Sequence, residues 1–183
     1  MNTTTTSNTK KQTGLIQIYT GDGKGKSTAA FGLALRALGN GLNVAIVQYM
    51  KKGGWYGETI MLEKLPNLEL YAFGCDHFIK KGAPDAENIA QCQAALAKTR
   101  EIIAAGQVDL LILDELNNAL FFELMSEEEA LQLLAAKPPQ IELVITGRNA
   151  PQSLIAAADL VTEMREIKHP YQKGVQARKG IEY

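Results

Sequence analysis

The 183-residue chain is poor in the features that mark several protein classes. No apolar run approaches the roughly 20 residues that a membrane helix requires, so no transmembrane segment is predicted. Lys and Arg (19) are balanced by Asp and Glu (20), for a net charge of −1. That balance provides no overall basic field for nucleic acid or an anionic membrane. There are two cysteines and two histidines. Cys75 and Cys92 form no C-x-x-C pair, so they read as reduced thiols of a cytoplasmic protein, and no zinc constellation stands out in the spacing. The polar stretch 1–13 lacks the apolar core of a secretory signal and is expected to be disordered. There is no nucleophile-elbow serine and no Cys–His signature. Hard chemistry is therefore expected to come from substrates.

What remains is ordinary globular material, 46% apolar and 21% charged, long enough for a single domain over 14–183. Its organising stretch is Thr20-Gly21-Asp22-Gly23-Lys24-Gly25-Lys26-Ser27-Thr28. A β-branched, aromatic run precedes it (Leu15 to Tyr19) and a helical pattern follows it. Strand, glycine-rich turn and helix are the context of a phosphate-binding P-loop. The glycines let backbone N–H groups turn inward, and the helix start presents its positive dipole end at the same place. Lys26 adds a cation for phosphates, Ser27 a hydroxyl for Mg²⁺, and Thr28 a second hydroxyl. The usual first glycine of the motif falls on Thr20, and Lys24 is an extra cation in the loop.

Strand and helix patterns alternate thereafter. Helix 26–40 carries Phe31, Leu35 and Leu38 on one stripe, and Gly41 closes it. Strands are expected at 42–50, 68–73, 108–113, 141–146 and 160–165. Helices are expected at 58–65, from Pro84 to Ala105, from the Ser126/Glu129 capping box to Lys137, and from Pro151 to Ala158. The alternation predicts an α/β fold, a mostly parallel sheet with helices on both faces. Ligands then sit at the carboxyl ends of the strands. The P-loop, Asp114-Glu115 and Thr146-Gly147-Arg148 all fall there. An acid pair ending a buried strand beside a P-loop reads as a Mg²⁺-holding Walker-B element, or more simply as carboxylates capping the next helix. Arg148 is placed to reach phosphate or corrinoid. Arg36 reads by default as a solvated arginine. Trp55, Phe73 and Phe78 are either core or a surface for a large flat ligand. His77 reads first as a surface or hydrogen-bonded histidine and second as a metal or cobalt ligand, and His169 is read in the same way.

The run from Tyr19 to Arg36 resembles the ATP:corrinoid adenosyltransferases of the CobA/CobO type. So do Leu-Asp-Glu-Leu (113–116), Val-Ile-Thr-Gly-Arg (144–148), Ala-Ala-Asp-Leu-Val-Thr-Glu-Met (157–164) and the closing stretch 168–183. The resemblance covers about 14–183. It implies a RecA-like P-loop fold, usually a homodimer, and transfer of the 5′-deoxyadenosyl group of ATP to a reduced corrinoid with release of triphosphate. It places nucleotide contacts on Thr20, Gly21, Asp22, Gly23, Lys24, Gly25, Lys26, Ser27, Thr28, Arg36 and Arg148. Catalytic roles fall on Lys26, Ser27 and Glu115. Mg²⁺ or Mn²⁺ contacts fall on Ser27, Glu115 and Asp114. A flavodoxin-like electron donor is a further implication. Members carry a Phe-x-Trp pair after the third strand that helps displace the lower cobalt ligand. Here that segment reads Gly74-Cys75-Asp76-His77-Phe78. Corrinoid contacts then fall on Phe78, His77 and Trp55. A RecA-like ATPase acting on nucleic acid or an assembly, and a non-enzymatic corrinoid carrier, are the competing expectations.

Overall fold

The computed structural model describes residues 13–53, 57–77 and 79–182. Six strands form one parallel sheet: β1 (Ile16–Thr20), β2 (Val44–Tyr49), β3 (Leu68–Phe73), β4 (Leu110–Asp114), β5 (Glu142–Thr146) and β6 (Leu160–Glu163), in the order β3-β2-β4-β5-β1-β6. Every strand pair is parallel. The helices are α1 (Lys26–Gly39), α2 (Gly57–Leu62), α3 (Ala86–Ala105), α4 (Leu116–Phe121), α5 (Glu127–Ala136) and α6 (Gln152–Ala157), followed by a 3-10 turn at Pro170–Lys173. This is the RecA-like α/β arrangement.

Period-2 alternation in the strands builds two cores. Val44, Ile46, Leu110, Ile112 and Val144 pack under α1 and α2. Ala45, Val47, Leu111, Leu113, Leu143 and Ile145 pack under α3, α4, α5 and α6. The helices therefore cover both faces, as the alternating pattern requires. Among the described residues no helix is long and apolar enough to cross a membrane.

The expected elements return with shifted ends. The buried face of α1 is Ala30, Phe31, Ala34 and Ala37. Leu38 joins that core, but Leu35 is 55% exposed and lines a surface cavity beside the loop instead of the core stripe. Pro84 stands outside α3, because Asp85 takes the N-cap position and accepts a hydrogen bond from Asn88 N. The Ser126/Glu129 capping box is present in full. Helix α4 went unpredicted; six residues are too few to display a helical period. Strand β6 ends at Glu163, short of the expected Arg165. Beyond it the chain turns over the P-loop: Met164 N donates to Thr20 O (2.8 Å), and Met164 O accepts from Gly23 N (2.7 Å).

Candidate functional site

Adjacent strands β4, β5 and β1 bring three segments side by side at their carboxyl ends. The P-loop runs from Thr20 to the start of α1. Gly25 adopts φ 117° as the helix cap, and Gly21 adopts φ 92°. A Cβ on Gly21 would lie 2.5 Å from Met164 O, and one on Gly23 2.8 Å from both Met164 O and Arg165 C. The glycines thus serve two purposes, loop curvature and close approach of the crossing chain. Thr20, at the position where the motif usually has glycine, is the last residue of β1 and accepts from Ala150 N through Oγ1 (3.2 Å). No left-handed backbone is needed there, so a side chain is tolerated.

Lys26 Nζ donates to Gly21 O (2.7 Å) and Gly23 O (2.8 Å) of its own loop. Burial, and next the nearby Arg148, lower its ammonium pKa. An arriving phosphate would reverse both effects by supplying negative charge.

The acid pair is divided between two environments. Asp114 is fully buried. Its Oδ1 accepts from Thr146 Oγ1 (2.7 Å), and its Oδ2 from Lys51 Nζ (2.7 Å) and Gln48 Nε2 (3.1 Å). Burial pushes its carboxyl up, but Lys51, by charge and hydrogen bond, with Ser27 and Thr146, pulls the net value below the usual range. Glu115 caps α4 with φ 65°. Its N donates to Thr146 Oγ1 (3.0 Å), and its Oε2 takes the Asn118 amide. Burial raises its carboxyl pKa, against the pull of Lys51.

Lys51, just past β2, was missed by sequence reading. Its ammonium lies 2.7 Å from Asp114, 3.4 Å from Ser27 Oγ and 3.9 Å from Glu115 Oε1. The only available sequence signal was a lysine following a buried strand that neighbours β4. It occupies the centre of the three residues expected to hold a divalent cation. That donor set, one hydroxyl and two carboxylates already gathered round a positive charge, fits Mg²⁺ or Mn²⁺. Ser27 and Glu115 are half-buried. Asp114, tied through both oxygens, would meet it only by exchanging Lys51.

A cavity of about 350 Å³ joins Asp22, Gly23, Lys24, Lys26, Glu115, Arg148 and His169. Arg148 reaches it from β5, with Nη2 donating to Asp22 O (3.3 Å) and its backbone N to Asn118 Oδ1 (2.8 Å). Gly147 permits this turn, at φ 128°, with Asn117 Cβ 2.9 Å from where a Cβ would stand. The C-terminal stretch closes the cavity's rim: Lys24 Nζ donates to Ile181 O (2.9 Å) and lies 3.7 Å from Glu182. His169 caps the 3-10 turn at this rim, nearer the site than its residue type alone suggested. Thr28 lines a neighbouring cavity, with Phe31 and Leu35. Arg36 is not brought to the site. It lies in the last turn of α1, roughly 15 Å along the axis from Lys26. His77 sits apart, hydrogen-bonded to Asp85. Trp55 and Phe78 lie outside the described residues.

The arrangement can hold a polyphosphate against cations and backbone N–H groups while acids opposite hold a metal. Its fold resembles that of the flagellar accessory protein FlaH from Methanocaldococcus jannaschii, at TM-score 0.57 and 17% identity over 82% of this chain and 71% of that one. Among sequences, the chain is 35% identical to the corrinoid adenosyltransferase of Pseudomonas aeruginosa over 174 residues, 95% of this chain and 86% of that protein. It is 38% identical to the corrinoid adenosyltransferase of a Sinorhizobium species over 173 residues, 93% of this chain and 80% of that protein. The family model for ATP:corrinoid adenosyltransferase BtuR/CobO/CobP matches residues 12–183. With that match over nearly its whole length, the chain belongs to the ATP:corrinoid adenosyltransferase family.

Proposed function

We propose that this chain moves the 5′-deoxyadenosyl group of ATP onto the Co(I) centre of a reduced corrinoid and releases inorganic triphosphate. The supporting observation is the meeting of Lys26, Arg148 and Glu115 around one cavity at the end of the P-loop, with Ser27 and Glu115 both beside the Lys51 ammonium. In the transfer, the Co(I) electron pair forms the bond to C5′ as the C5′–O5′ bond breaks. The departing pair stays on the triphosphate oxygen. No proton moves, so the chain needs no general base, and its task is to stabilise the charge growing on the leaving group. Lys26 would exchange Gly21 O and Gly23 O for phosphate oxygens. Arg148 would flank the same phosphates. Ser27 and Glu115 would hold Mg²⁺ or Mn²⁺, which would supply further neutralisation of the triphosphate. Asp114, Gln48 and Thr146 would keep the acids aligned from behind.

In this reading the corrinoid would lie over the carboxyl ends of β2 and β3, where Met50, Ile79 and Phe122 form an apolar rim beside His77. A homodimer, a cytoplasmic setting and a flavodoxin-like donor that keeps cobalt reduced complete the proposal. Light scattering of the purified chain tests the dimer.

The experiment is an anaerobic reaction with Mg-ATP and chemically reduced cobalamin. Light-sensitive Co–C formation is followed by absorbance, and the phosphate product by phosphorus NMR. Adenosylcobalamin with triphosphate is expected. ADP and phosphate without a cobalt product would make the chain a P-loop ATPase. Tight corrinoid binding without turnover would make it a carrier.

A further inference from the structure

The loop that follows β3 and the first turn of α3 carry a second cluster, at the edge of the cavity proposed for the corrinoid and away from the P-loop. The thiol of Cys75, a ring nitrogen of His77 and a carboxylate oxygen of Glu87 all lie within 4.8 Å of one another. A tetrahedral zinc with bonds of about 2.0–2.3 Å needs ligand atoms roughly 3.3–3.7 Å apart, so closure requires a shift of up to about 1.5 Å. We propose that Cys75, His77 and Glu87 form a binding site for a thiophilic divalent cation of the zinc type, with a solvent-filled fourth position. The site borders the cavity proposed for the corrinoid, and its test needs neither corrinoid nor nucleotide.

Three observations besides the proximity support it. First, His77 is oriented by a carboxylate: its Nε2 lies 2.9 Å from Asp85 Oδ2. Asp85 is itself held, with Oδ1 accepting from Asn88 N (2.9 Å) and Oδ2 from Asn88 Nδ2 (2.7 Å). Asn88 Nδ2 lies 2.9 Å from the same ring nitrogen, so Asp85 and Asn88 together hold the Nε2 edge and Nδ1 is the nitrogen left for a metal. A carboxylate behind a histidine is the outer-shell arrangement that fixes tautomer and ring direction in metal sites. Second, the surroundings are acidic. Asp76, Asp85 and Glu87 all lie near the Cys75 thiol, so three carboxylates favour a dication there. Coordination would release the thiol proton to solvent. Third, Cys75 and His77 border a cavity of about 270 Å³, where water can complete the coordination. The donor set, one sulfur, one imidazole and one carboxylate, suits zinc and differs in kind from the all-oxygen set at Ser27, Asp114 and Glu115. Such an ion would clip the start of the β3–α3 loop to the first turn of α3, and so set the shape of the loop beside Met50 and Phe122.

The test is titration of the full nucleotide-free chain with Co²⁺ alone, followed by displacement with Zn²⁺. Co²⁺ bound to a thiolate gives a charge-transfer band in the near ultraviolet, and an oxygen-only site gives none. Cys92 is a poor competitor, being buried with its thiol pKa pushed up to about 12 by desolvation. One equivalent of thiolate-bound Co²⁺ is expected, displaced by Zn²⁺. The band should vanish in Cys75→Ser and persist in Glu115→Gln. Asp85→Asn keeps a good helix cap and should weaken the metal about 10–100-fold. Circular dichroism confirms that each variant is folded. A titration with no band at stoichiometric Co²⁺, or a band that survives Cys75→Ser, overturns the proposal.

Discussion

Lys51→Met isolates the central electrostatic feature of the site. At 2.7 Å from Asp114 Oδ2, the Lys51 ammonium gains about 6 kcal/mol of attraction at an effective dielectric of 20. Burial of both groups consumes part of this. Truncating one partner of a buried pair typically costs about 3–5 kcal/mol, because the other charge stays buried. Lys51→Met should lose that much at neutral pH, read as a lower urea midpoint with unchanged slope. Two further signs follow. Mg²⁺ should stabilise the variant more than the wild type, because it takes up the position that the ammonium left. Saturation at 100 times the dissociation constant is worth about 2.7 kcal/mol. In the wild type the lowered Asp114 pKa contributes stability above the unfolded carboxylate value near 3.9, lost as pH falls through the folded one. In the variant burial is opposed only by the hydrogen bonds from Ser27 and Thr146, and the folded pKa rises relative to the wild type. Protonation then relieves the strain, and the gap between the two proteins should narrow as pH falls toward 4. A loss under about 1 kcal/mol, or equal Mg²⁺ responses, would refute the assignment of Lys51 as counter-ion of the metal residues.

Lys26→Ala should lower adenosyl transfer about 10²–10³-fold while leaving corrinoid binding intact, measured by single-turnover absorbance and by equilibrium titration. Gly23→Ala puts a methyl 2.8 Å from the backbone at Met164 and Arg165. It should abolish nucleotide binding by calorimetry and cost about 1–3 kcal/mol of stability. Burial holds the Glu115 carboxyl above its usual 4.5, so divalent-cation affinity should already fall as pH descends toward that value, seen by Mn²⁺ paramagnetic resonance. Glu115→Gln should flatten that profile. Ser126→Ala removes the cap of α5 and should cost about 1 kcal/mol with turnover unchanged.

Much of this protein is written in local pattern. Thr20 to Thr28 identifies a phosphate loop because backbone curvature and helix start are short-range properties. The β4 run ending in Asp114-Glu115 announces a buried strand with acids at its end, and Ser126 with Glu129 announces a helix start. The alternation of elements is enough for a parallel sheet with two covered faces, since each strand must bury both sides. The resemblance of the tail and of Thr146-Gly147-Arg148 to one family reached as far as the reaction class. Contacts between distant segments had no local signature. Lys51 is an ordinary lysine until β2 pairs with β4 and sets it beside Asp114. Leu35 fits a helical stripe, yet the face of α1 that packs on the sheet is Ala30, Phe31, Ala34 and Ala37. The return of the chain over the P-loop at Met164, and the latch of Lys24 on Ile181, depend on strand order alone. So does the difference between two adjacent acids. Asp114 lies in the sheet and is paired on both oxygens, while Glu115, one residue on, turns through a left-handed backbone toward the cavity. Sequence sets which groups are present. Packing decides which of them lose water and which opposite charge they meet, and those two quantities govern what each group can do.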